Sequence, residues 1–111
     1  MADILLSALR AHQALLEGAS GNISNMNTKG YTPVRTTLSE GPGGAVQAHT
    51  EREPAQPHTV PEGCETSNVD LPREICDLIR ARRGFESVLA AIREREEMFD
   101  ELMSTLAPDR E

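Results

Sequence analysis

The chain has 111 residues, with 11 Lys and Arg against 18 Asp and Glu, a formal net charge of −7 and an isoelectric point near 4.9. That length holds one small domain, and the acidic balance argues against nucleic acid or an anionic membrane surface as a partner. With no Trp, one Tyr and two Phe, the bulky groups that dominate core burial are nearly absent, so a marginal monomer whose apolar stripes need partners is expected.

Met1-Ala2-Asp3 offers no basic segment leading into an apolar core and a cleavage site, so no Sec-type leader is read there. No apolar run approaches the length of a membrane-spanning helix. From Leu5 onward, Leu5, Leu9, His12, Leu16, Ala19, Ile23 and Met26 recur at alternating steps of four and three. This is a heptad-like seam along one side of a helix. Ile4, Ala8 and Leu15 widen the stripe, and Ala11, Ala14, Gly18, Ser20 and Gly21 are small enough for another backbone to approach closely. The helix is expected to stop near Asn25 to Asn27, with Gly30 taking a left-handed conformation and Pro33 unable to continue the helix.

Tyr31 to Leu38 reads as a short strand, Glu40-Gly41-Pro42-Gly43-Gly44 as a turn, and Ala45 to Thr50 as a returning strand. Glu51 to Thr66, with Pro54, Pro57 and Pro61, reads as an extended or loose connector. Ser67 with Asp70 three residues later resembles a capping box, and Pro72 fits only a first helical turn.

The second helix carries the clearest pattern. Leu71, Ile75, Leu78, Arg82, Phe85, Leu89, Ile92, Glu96, Phe99, Met103 and Leu106 keep the four-three alternation until Ala107, just before Pro108. Charges cover its remaining surface, and Arg73 with Asp77, Arg82 with Glu86, and Arg93 with Glu97 stand four apart. Arg82 and Glu96 occupy seam positions, where they either snorkel to the edge or fix register with a neighbouring chain; His12 has the same two readings. The fold class is mainly α: N- and C-terminal helices pairing as a coiled coil, joined by a short β-hairpin or irregular Pro/Gly-rich middle. One structural domain then comprises residues 1–31 (helix and Asn-rich turn), 32–66 (hairpin and connector) and 67–111 (C-terminal helix).

Signs of chemistry are sparse. His12, His49 and His58 sit in no metal-binding spacing, and Cys64 and Cys76 match no zinc or redox motif and read as reduced thiols. His49, His58 and Cys64 share the connector, where no rigid scaffold would aim ligands. Gly41, Gly43 and Gly44 precede neither a helix nor a Lys, so they form no phosphate loop. Neither an enzyme nor a cofactor, metal or small-molecule site is expected.

Two stretches carry a family resemblance. Asn22-Ile23-Ser24-Asn25-Met26-Asn27-Thr28-Lys29-Gly30-Tyr31 resembles the N-terminal signature of bacterial flagellar rod and hook axial proteins. Ser67-Asn68-Val69-Asp70-Leu71, Ile79-Arg80-Ala81-Arg82-Arg83-Gly84-Phe85-Glu86 and Glu97-Met98-Phe99-Asp100-Glu101-Leu102 resemble the entry, middle and close of that family's last helix. The short middle is similar in scale to the proximal rod proteins (FlgC-like). The resemblance implies a structural subunit of the basal-body rod, in the periplasm-spanning shaft, exported by the flagellar type III apparatus without a cleaved signal. Its partners would be other rod subunits and further copies of itself. The expected assembly interface combines the seams with the signature turn: Leu5, Leu9, Leu16, Asn22, Ile23, Asn25, Thr28, Gly30 and Tyr31 from the first half, and Asn68, Asp70, Leu78, Arg82, Phe85, Leu89, Ile92, Phe99 and Met103 from the second. The alternative is a cytosolic coiled-coil adaptor or regulator derived from a rod protein. A metal- or redox-sensing protein using His49, His58, Cys64 and Cys76 is a third, weaker reading.

Overall fold

The computed structural model describes residues 2–54 and 68–107. The elements run α1 (Ala2–Ser24), β1 (Val34–Glu40), a short 3-10 turn (Pro42–Gly44), β2 (Val46–Arg52) and α2 (Leu71–Leu106). Two helices and one hairpin are the architecture the sequence patterns predict. Most of the Pro-rich connector, including His58 and Cys64, lies outside the described residues, as does Ser67. Helix α2 is capped by Asp70, whose carboxylate accepts from the Arg73 N–H at 3.4 Å, with Pro72 in the first turn.

The Asn-rich turn ends α1 through side chains. The Asn25 amide donates to the Gly21 carbonyl at 2.9 Å and its oxygen accepts from the Thr28 hydroxyl at 3.1 Å, satisfying groups that a helix end leaves open. Gly30 has φ +75°, a left-handed value that costs a Cβ-bearing residue on the order of 1–2 kcal/mol. The chain then reverses into β1, which pairs antiparallel with β2 from Val34↔Arg52 to Glu40↔Val46.

Helix α1 lies between α2 and the hairpin. The Cβ position of Gly18 would fall 2.8 Å from Thr36 Oγ1, so β1 crosses α1 at a point where a larger residue would be obstructed. Farther along, the Val46 N–H donates to Ser7 Oγ at 3.0 Å. The helices run antiparallel, with Asn22 beside Glu74 and His12 beside Gly84. Both pairs of residue numbers add to 96, so Ala2 comes level with about residue 94, given a uniform 1.5 Å rise in each helix.

The buried line of α1 is Ala8, Ala11, Leu15, Ala19 and Asn22, and that of α2 runs through Glu74 and Ala81. The predicted seams are therefore rotated. Ala19 is on the buried line, Leu5, Leu9, His12 and Ile23 are half-buried, and Leu16 and Met26 are exposed. On α2, Leu71, Leu78, Phe85 and Ile92 are half-buried, whereas Ile75, Arg82 and Leu89 are exposed. Helix α1 packs against the hairpin as well as α2, so its most buried line differs from a seam facing one partner helix, although His12 of that seam meets Gly84. Arg82 takes the edge reading, paired with Glu86 at 2.9 Å. Asp77 turns to Arg80 at 3.1 Å and Arg35 at 3.5 Å, while Arg73 reaches Glu53 at 3.8 Å rather than Asp77.

His12 packs on Gly84, with Nδ1 buried and without a hydrogen-bond partner. A Cβ at residue 84 would fall 2.3 Å from His12 Cε1. Replacing Gly84 with Ala should therefore lower the melting temperature, overpacking by about 1–3 kcal/mol exceeding the gain in helix propensity of about 1 kcal/mol. Adding His12→Ala should recover most of the loss. Thermal melts of the single and double variants followed by circular dichroism check both.

Candidate assembly interface

The signature turn is held from within by a polar cluster. Asn22, 1 % exposed, uses its whole side-chain amide: Nδ2 donates to the Val34 carbonyl at 2.8 Å and to Glu74 Oε2 at 3.0 Å, while Oδ1 accepts from the Tyr31 hydroxyl and the Val34 N–H, each at 2.9 Å. Glu74 is fully buried, and its second oxygen faces Arg35 Nη2 at 2.6 Å. Arg35 also bonds Glu53 at 2.5 Å. Partial burial works against the guanidinium charge, but hydrogen bonds and attraction from Glu53 and Glu74 outweigh it and raise its pKa above the usual value. A raised folded-state pKa stabilises below the unfolded value and is lost only as pH rises through the folded one, so Arg35 stays charged across the acid and neutral range.

Tyr31 completes the cluster. Arg52 lies 5.4 Å from its ring centroid, and its carbonyl accepts the Asn68 N–H at 3.1 Å. The structure thus gathers Asn22, Asn25, Tyr31, Asn68 and Asp70 at one end of the molecule, where they close the fold or cap its helices. Asn22 in particular has no side-chain hydrogen-bonding position left for a neighbour. Thr28 and Gly30 remain exposed on the turn.

Leu6, Met26 and Leu89 are exposed singly, and the other large apolar residues left outside form two patches. One is a groove between the helices lined by Leu16, Ile75, Leu78, Ile79, Arg82 and Phe85. The other is the end of α2. Beyond the start of α1 every residue from Arg93 to Leu106 is exposed, and Met98, Phe99, Leu102, Met103 and Leu106 form an apolar stripe, with Phe99 60 % and Leu106 71 % exposed. Exposed apolar stripes of this kind mark interaction sites. Of the predicted interface residues, Leu16 lies in the groove with Leu78, Arg82 and Phe85, Leu89 is exposed between the patches, and Phe99 and Met103 are in the stripe. Leu5, Leu9, Ile23 and Ile92 sit half-buried on the two helices.

Sequence periodicity did not single out Glu74 or Arg35, because neither carries a periodic apolar signal. A line of Ala81 and Gly84 opposite the alanines of α1 was the available hint that α2 turns this side inward.

Among the described residues, no group of three or more His, Cys, Asp or Glu could hold a metal ion, and no helix is long and apolar enough to cross a membrane. His49 pairs with Glu51 at 2.8 Å on β2, and Cys76 is exposed. Comparison with known families gives two matches. Residues 3–32 match the family model described as flagella basal body rod protein, and residues 64–105 match that of the flagellar basal body rod FlgEFG protein C-terminal region. No curated protein matches the chain significantly.

Replacing Arg35 with Ala would leave the Glu74 carboxylate buried without its charge partner, at a cost of about 3–5 kcal/mol. Such a loss is a large fraction of a small domain's stability and should move the urea midpoint well down. Glu53→Ala, at the more exposed edge of the cluster, should cost far less. Urea denaturation of both variants measures the difference.

Proposed function

The chain belongs to the flagellar basal body rod family, its two ends matching that family's N-terminal and C-terminal regions, and from this premise we propose that it is one structural subunit of the rod, assembled through the faces its helices leave uncovered. The observation that carries the proposal is the apolar stripe from Met98 to Leu106 together with the groove at Leu16, Ile75 and Ile79: a chain so poor in aromatic residues leaves many of its large apolar side chains outside. Burial against neighbours then supplies stability that the monomer lacks.

In this reading α1 and α2 form a two-stranded coil that packs beside equivalent coils in the tubular shaft. The Asn-rich turn links that layer to the hairpin and presents Thr28 and Gly30 to adjacent subunits. The chain passes through the flagellar type III export channel without a cleaved signal, for which a weakly stable monomer is suited. Its described middle is a single hairpin of two seven-residue strands, and this brevity supports a FlgC-like place in the proximal rod. The C-terminal match carries the FlgEFG description and does not itself favour that rung.

Mass spectrometry of purified hook–basal bodies tests the proposal. The chain should co-purify with the rod in several copies. Its absence from the rod fraction, with recovery from the cytosol, would turn the assignment to an adaptor derived from a rod protein. Leu89→Asp, at an exposed position on α2, should leave the monomer helical by circular dichroism but reduce incorporation into the rod at least tenfold.

A further inference from the structure

We draw no further inference here: the strongest candidate, the apolar groove between α1 and α2 at Leu16, Ile75, Ile79 and Phe85, has its lining charges Arg82 and Glu86 paired with each other, and nothing in the structure shows what covers it beyond the subunit packing already proposed.

Discussion

A buried carboxylate cannot remain charged without partners, and Glu74 is the point on which three elements meet. Taking it out of water is costly, so its oxygens need Asn22 from α1 and Arg35 from β1. Asn22 also holds the start of β1 through both its amide groups, and Arg35 reaches on to Glu53 beyond β2. One set of contacts therefore fixes the end of α1, the hairpin and the beginning of α2 together. The apolar core supplies little specificity of its own: among the described residues its buried members are four alanines, Leu15 and Pro33. The polar clasp sets the register that such small side chains would leave loosely defined.

Local features were legible in the sequence wherever one residue type has one physical consequence. Asn25 and Gly30 end α1, Pro72 opens α2, and the Gly-rich turn lies between two strands. The facing of the helices was not legible in the same way. A heptad pattern weights large apolar residues, and it placed Leu16, Ile75 and Leu89 at the seam. The hairpin takes up a second side of α1, so the most buried line of that helix falls on Ala8, Ala11, Leu15 and Ala19, while His12 of the predicted seam meets Gly84 of α2. Glu74 and Arg35 are far apart in sequence and give no local signal; only the folded chain brings them together. The signature turn is legible as a motif, but nothing in the sequence signals that Asn22 and Asn25, read as assembly residues, also bond within the chain, Asn22 in the clasp and Asn25 at the end of α1.

That rotation has a functional consequence. It leaves Leu16, Ile75 and Leu89 outside on the two-helix body, and because α2 also runs on past the start of α1, the stripe from Met98 to Leu106 has, among the described residues, no helix of its own chain to cover it. An isolated helix of that end's length is marginal in water. Its acidic surface keeps it soluble, while its apolar face is available for burial. The clasped end and the free end of α2 thus differ in stability within one continuous helix, and the free end is where association would add most order.

Hydrogen–deuterium exchange along α2 in the isolated chain tests this division most directly. The account predicts strong protection from Glu74 to Val88, beside α1 and the clasp, and rapid exchange from Met98 to Leu106. Equal protection along the whole helix in dilute monomer would contradict it.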